Sequence, residues 1–235
     1  TPEQVEQALT AEEYAVLAPH YGLEQAPNFE GKHWHFILAQ PLAAAAAPLL
    51  ERAKAKLFAA REQRVRPGRD EKVLASWNAL MIKGLAHAAR VLGRADWVLP
   101  AQQAVDFIRA RMWRYGRLLA SYKDGQARLN AYLDDYAFLL DALLELLQAE
   151  FRPQDLAFAQ DLAQRLLSQF EDPEQGGFFF TSPDHEALIH RPKPGLDQAT
   201  PSGNGVAAYA LQRLGHVLVA RCRCSASRGQ GPGAR

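Results

Sequence analysis

Residues of the kinds that handle hydroxyls and protons gather at three places in this sequence, each at the start of a helical segment. Arg69-Asp70-Glu71-Lys72, followed by Ser76-Trp77-Asn78, opens the first. Tyr132-Leu133-Asp134-Asp135-Tyr136 opens the second, and Thr200-Pro201-Ser202-Gly203-Asn204 the third. A helix amino end presents unpaired N–H groups and a partial positive charge, which suit hydroxyl-rich or anionic ligands. Asp and Asn bind hydroxyls in bidentate fashion and aromatic faces stack on a ring. Three such starts meeting at one rim would therefore make a sugar pocket. Asp134 or Asp135 is the candidate for proton transfer, and Asp70, Asn78, Ser202 and Asn204 are candidates for holding hydroxyls, with Trp77, Tyr132 and Tyr136 as aromatic company.

Every one of these residues also has a structural reading. Asp70 suits a helix N-cap. Trp77 is in phase with Val73, Leu80 and Met81, which favours core packing over a stacking platform. Asn78 is harder to dismiss, because helix interiors disfavour it. Asp134 and Asp135 suit the first turn of any helix, yet the segment around them is apolar on nearly every side, so at least one carboxylate is expected to face the interior. Asp141 and Glu145 continue that stripe as a polar seam. For Ser202-Gly203-Asn204, capping and ligand contact weigh equally. His33, His35, His185, His190 and the other histidines show no H-E-x-x-H spacing. There is no P-loop, dinucleotide fingerprint or G-x-S-x-G, so no cofactor is expected. A Cys222, Cys224 and His216 metal cluster is a weak reading.

The elements that must position these clusters are mostly helical. Thr1-Pro2 and the box Thr10-Ala11-Glu12-Glu13 open two short helices. A short strand is expected over His33–Leu38, and a long helix over Pro41–Arg64 that carries Pro48 at some cost. Asp70 then caps a helix with apolar positions Val73, Trp77, Leu80, Met81, Leu85, Ala88 and Leu92. A helix over 96–112 and a hairpin turning at Asp124-Gly125 follow. Next come a buried helix over 132–150, a helix over 154–170, a strand over 176–181 and a last helix over 201–220. Buried helices start near 71, 131 and 201, a spacing of about sixty to seventy residues that marks stacked αα-hairpins. The fold class expected is all-α: tandem αα-hairpins forming part of an (α/α)6 toroid, with short β-hairpins between repeats, over residues 1–220. Residues 221–235 are expected to be a disordered basic tail.

Composition excludes other classes. The chain has 235 residues, 48% of them hydrophobic and 23% charged, with 27 basic against 26 acidic side chains. Four of the arginines lie in 221–235, which leaves 23 basic against 26 acidic residues over 1–220, a charge of −3. A slightly acidic body lacks the electrostatic footprint for nucleic acid. Both cysteines, Cys222 and Cys224, lie in the tail, which excludes a disulfide scaffold. No run of about eighteen apolar residues exists to span a membrane, and the amino end has no signal-peptide pattern. A cytoplasmic location is the expectation.

Several motifs, in order, resemble one family. They are Asn28-Phe29-Glu30-Gly31, Arg66-Pro67-x-Arg69-Asp70-Glu71-Lys72-Val73-Leu74-x-Ser76-Trp77-Asn78-x-Leu80-Met81, and Tyr132-Leu133-Asp134-Asp135-Tyr136-Ala137. Gly176-Gly177-Phe178-Phe179, Leu188-Ile189-x-Arg191-x-Lys193, Asp197 and Pro201-Ser202-Gly203-Asn204 follow. The pattern is similar to the YyaL-like, spermatogenesis-associated thioredoxin-domain family. The resemblance implies an internal piece of an α/α toroid like that of N-acylglucosamine 2-epimerases and six-hairpin glycosidases. The family's thioredoxin-like domain, the implied partner, is absent from this sequence. Arg191, Lys193 and Asp197 join the binding candidates through this resemblance. The implied function is carbohydrate processing of an epimerase or isomerase kind. Two alternatives stand beside it: a non-catalytic helical binding or scaffold domain serving a redox domain, and a glycoside hydrolase. Taken alone, such a piece is expected to show low stability and little or no activity.

Overall fold

The structure, a computed structural model, describes residues 1–185 and 189–228, with the backbone alone over 220–228. The chain divides into two compact units, Thr1–Asp70 and Glu71–Arg235, where the sequence reading ran one domain through both.

The first unit holds α1 (Pro2–Ala8), α2 (Ala11–His20) and α3 (Ala47–Glu62) around Leu17, Ala18, Leu23, Leu50 and Ala53. The expected Thr10 capping box forms: the Thr10 Oγ1 accepts from the Glu13 N–H, and the Glu13 carboxylate accepts from the Thr10 N–H. Two expectations change. Pro48 sits in the first turn of α3, where its missing N–H costs nothing, because the helix starts at Ala47 rather than near Pro41. The segment His33–Leu38 is not a strand. It makes one bridge from His33 to Phe29, and the Asn28 side chain pairs with both backbone groups of His35 at 2.6 and 3.0 Å.

The second unit begins with β1 (Val73–Leu74) and α4 (Ala75–Val91). Next come α5 (Val98–Phe107), which runs into a π-turn to Met112, then β2 (Trp113–Arg114), β3 (Arg117–Lys123) and β4 (Gln126–Asn130). The remaining elements are α6 (Leu133–Ala149), α7 (Pro153–Phe170) and α8 (Gly203–Arg228). Strand β3 pairs antiparallel with β1, β2 and β4. Asp124 and Gly125 turn the β3–β4 hairpin at φ of 51° and 78°, the doubly left-handed turn that an Asp-Gly pair favours. Of the strand expected over 176–181, only a Glu171–Phe178 bridge forms.

Helix α6 is the axis of the core. Its side chains from Leu133 to Leu146 are buried except Asp134, as its all-round apolar sequence requires. The face that α4 turns inward is Ala75, Ala79, Ile82, Ala86 and Ala89, whose small side chains allow helices to pack closely. Val73, Leu80 and Leu85 pack against the edge of this core, whereas Trp77 and Met81 stand 62% and 63% exposed. The inward face is therefore set by alanine, and the bulky stripe expected to be core divides: Val73, Leu80 and Leu85 flank the core, whereas Trp77, Met81 and Leu92 are exposed. Helix α8 runs eight residues past Ala220, since no glycine or proline occurs before Gly229. Residues 229–235 of the expected tail, and Leu188 of the family motif, lie outside the described residues.

Three parallel helices follow from the side-chain register. Ser76 of α4 meets Asp135 of α6, Lys83 meets Asp141, and His87 and Arg90 meet Glu145. From α8, Gly203 lies against Asp134, and Arg213 reaches Asp141 and Glu145 at 2.7 and 3.1 Å. Contacts that climb together along all three helices require a common direction, so their amino ends lie together.

Candidate functional site

The polar seam on α6 is an ion-pair network between helices. Asp141 is 2% exposed and lies between Lys83 Nζ at 2.6 Å and Arg213 at 2.7 Å. Glu145 takes Arg90 at 2.6 Å, His87 at 3.0 Å and Arg213. Burial pushes the Glu145 carboxyl up, but hydrogen bonds from His87 and Arg213 and the charges of Arg213 and Arg90 more than reverse this, leaving it below its ordinary value. Lys83, Arg90 and Arg213 were outside the sequence-derived set. Their positions are periodic with the carboxylates only once the helix register is known.

At the amino ends, the two acids of α6 divide. Asp135 is 4% exposed, and its oxygens accept from the Ser76 N–H of α4 and the Tyr132 N–H, each at 2.9 Å. One carboxylate thus caps two helices. Burial raises its protonation midpoint, and these hydrogen bonds partly offset the rise. Asp134 is different. Its Oδ1 is buried with no hydrogen-bond partner and lies where a side chain at Gly203 would be. Burial first, then the neighbouring Asp135 charge, lift its midpoint to about 6.

Asp134 and Asp135 line a cleft of about 280 Å³ with Lys72, Ser76, Trp77, Ser121, Tyr132 and Phe180. Trp77, expected in the core, is an exposed wall of this cleft. Tyr132 stacks between Phe180, 5.0 Å away between ring centres, and His185, at 4.8 Å. The Leu133 N–H donates to the Phe180 carbonyl at 3.0 Å, which fixes this stack to the start of α6. Lys72, Ser121, Phe180 and His185 join the surroundings of the cleft only through tertiary contact, although Lys72 belongs to the first polar cluster.

The other candidates are placed elsewhere or already engaged. Asp70 ends the first unit, and the residue that precedes α4 is Leu74, so Asp70 is not its cap. Asn78 donates back to the Leu74 carbonyl at 2.8 Å, a bond inside the first turn of α4. Tyr136 is buried, and its hydroxyl accepts from the Leu118 N–H at 2.9 Å, holding β3 to α6. Asn204 pairs with both backbone groups of Phe178 and also donates to the Pro194 carbonyl. Ser202 donates through its hydroxyl to Pro194 and through its N–H to Asp197. Asn204 thus fixes the backbone at Phe178, two residues before Phe180, and with Ser202 holds that of Pro194.

Arg191 and Lys193 belong to a second cleft of about 730 Å³, with Asp172, Phe179 and His190. Arg191 donates to the Thr181 carbonyl and lies 4.2 Å over the Phe179 ring. Lys193 pairs with Asp172 at 2.6 Å. Among the described residues no three His, Cys, Asp or Glu side chains gather so as to hold a metal, and no helix is long and apolar enough to cross a membrane.

Parallel inner helices α4, α6 and α8, with α5 and α7 packed beside them and short strands between repeats, define the fold as that of an α/α toroid. Solved structures with this fold include a sugar epimerase from a ruminal bacterium (TM-score 0.51, 14% identity, 72% of this chain and 48% of that chain). The cellobiose 2-epimerase of Spirochaeta thermophila is another (TM-score 0.50, 16% identity, 73% and 50%). At such identities the likeness is one of fold. No family model matches the chain. By sequence it is similar to spermatogenesis-associated protein 20 of Homo sapiens, 34% identical over 177 residues, and of Rattus norvegicus, 35% identical over 180 residues. Each match takes in 71% of this chain and 22% of the relative, so the chain spans about a fifth of the length of these curated relatives. The family resemblance carried by the motifs is therefore shown: the chain is a homologue of spermatogenesis-associated protein 20.

Proposed function

We propose that the cleft at the amino ends of α4 and α6 binds a sugar or sugar derivative, and that Asp134 moves a proton to or from it in an epimerase- or isomerase-like reaction. The Asp134 carboxyl carries this reading. One of its oxygens is buried and unpaired, and its midpoint near 6 suits proton exchange close to neutral pH. Trp77 adds the exposed aromatic face on which a sugar ring can stack, and Lys72, Ser76 and Ser121 line the same space. The solved structures that share the fold at TM-scores of 0.50 and 0.51 include sugar epimerases, in keeping with that chemistry.

A glycoside hydrolase requires two working carboxyls. In this cleft the second is Asp135, which is committed to two backbone N–H groups, and this weighs against that variant. The non-catalytic scaffold serving a redox domain has an observation of its own. Asp135, Tyr136, Ser202 and Asn204 all bond to the protein's own backbone.

Calorimetric titration of the full chain with hexoses, disaccharides, amino sugars and sugar phosphates separates the two. Binding of one class is expected, weakened about tenfold by Trp77→Ala through loss of the stacking face. Asp134→Asn is expected to remove any pH dependence of that binding near pH 6. No heat with any class would leave the scaffold reading.

A further inference from the structure

Gly203 opens α8 in ordinary helical conformation, without the positive φ that calls for glycine at Gly177 or Gly125. Helix propensity alone would favour alanine there. What stands against it is the Asp134 carboxyl, which would have to move. A Cβ at position 203 would lie 2.0 Å from Asp134 Oδ1, 3.2 Å from its Cγ and 3.3 Å from Leu133 Cγ. Contacts below 3 Å are essentially never made by real Cβ atoms, so the carboxyl occupies the volume that a side chain would fill. Gly205, two residues on, gives the contrast: its Cβ would meet only Ser202 Cβ, at 4.0 Å.

The same Asp134 oxygen is buried and makes no hydrogen bond. A carboxylate oxygen kept from water and from donors is costly, and a rotation toward the cleft would relieve that cost. The seat at Gly203 is the feature that allows the inward position.

We infer that Gly203 is a positioning residue: the absent side chain at the start of α8 seats the Asp134 carboxyl against the helix backbone with one oxygen unbonded, and any larger residue at 203 turns that carboxyl out into the cleft. The functional meaning of this seat rests on the reading of Asp134 as the proton-transfer group, but the seat itself does not. Because Gly203 acts through Asp134, a substitution there alters the pH at which the site works without removing the carboxyl.

The test is carbon-detected NMR of the full chain labelled at aspartate carboxyl carbons, with the Asp134 signal assigned by its loss in Asp134→Asn. Gly203→Ala is expected to lower the Asp134 midpoint by about one pH unit or more, as solvation restores the ordinary behaviour of a carboxyl. Gly205→Ala is expected to leave it in place. An unchanged midpoint in Gly203→Ala would overturn the inference. Should Gly203→Ala unfold the chain, the double variant with Asp134→Ala decides. Restored folding is expected if the clash with the carboxyl is the cause, and an equally unfolded double variant would refute it. Failure of every sugar to bind, with the NMR result as expected, would refute the sugar reading and leave the seat standing.

Discussion

Replacing Asp134 by asparagine should make the protein more stable at neutral pH and leave it almost unchanged near pH 4. In the folded protein, burial and the Asp135 charge raise the Asp134 midpoint from 3.8 to about 6. A raised acid binds its proton more tightly folded than unfolded. Its contribution is therefore fully present below the ordinary carboxylate value and is lost as pH rises through about 6. A shift of roughly two pH units corresponds to about 3 kcal/mol. The side chain is only half-buried, so solvent screening reduces this, and about 1–1.5 kcal/mol is the expected loss between pH 4 and pH 7.5.

The wild-type profile contains other carboxyls as well. Glu145 is held below its ordinary value, so its contribution is present above that value and lost as pH falls, the reverse of Asp134. Glu145 is common to both proteins and cancels in the difference between them, which then reports Asp134 together with its coupling to the neighbouring Asp135. Urea unfolding of wild type and Asp134→Asn at half-unit pH intervals provides that difference. It should grow in favour of the variant by about 1–1.5 kcal/mol across the window. A difference that stays constant with pH, or grows in the other direction, would refute the account of Asp134 as a dry carboxyl.

Two further substitutions test the frame around it. Asp135→Ala removes the acceptor shared by Ser76 and Tyr132 and should cost about 2–4 kcal/mol in urea unfolding, with faster amide exchange at both residues; a loss under about 1 kcal/mol would mean that water replaces the double cap. Asp141→Asn removes the buried charge between Lys83, which is 41% exposed, and Arg213, which keeps its pair with Glu145, and should cost about 1–2 kcal/mol, only partly reduced by added salt; thermal unfolding at low and high ionic strength checks both parts, and a loss that salt abolishes would place the network in solvent.

The helices were legible where local chemistry decides them. The Thr10 capping box, the Asp124-Gly125 turn and the apolar circumference of α6 each depend on a few neighbouring residues, and each formed as expected. The inward face of α4 was not legible, because hydropathy favours Trp77 and Met81 over alanine, while close packing against α6 selects Ala79 and Ala86. His33–Leu38 alternates like a strand but has no partner strand, and the Asn28 side chain supplies the pairing instead. The site divided along the same line. Asp134 and Asp135 stand out in sequence as acids in an apolar helix. Which one is engaged depends on Ser76, 59 residues away. Asn204 reads as a ligand-binding amide until Phe178 is seen to use both of its polar atoms.

The division between the two acids follows from helix geometry. Asp135 is the third residue of α6, the position from which an acidic side chain folds back onto the N–H of the residue before the helix. Asp134 is the second, and adjacent residues point about 100° apart around a helix, so it cannot share that role and turns toward α8 instead. There it meets the amino end of a helix that runs parallel to its own, at a glycine. Where parallel helices begin together, an acid at the third position is drawn into capping, and an acid at the second is left at the junction with the next helix. An unpaired carboxyl at the mouth of the array is thus a consequence of the same packing that builds the array. Removing one acid at a time separates the two roles: Asp134→Asn should keep the cap that Asp135 provides to Ser76 and Tyr132, and Asp135→Asn should lose that cap while keeping the unpaired Asp134 carboxyl.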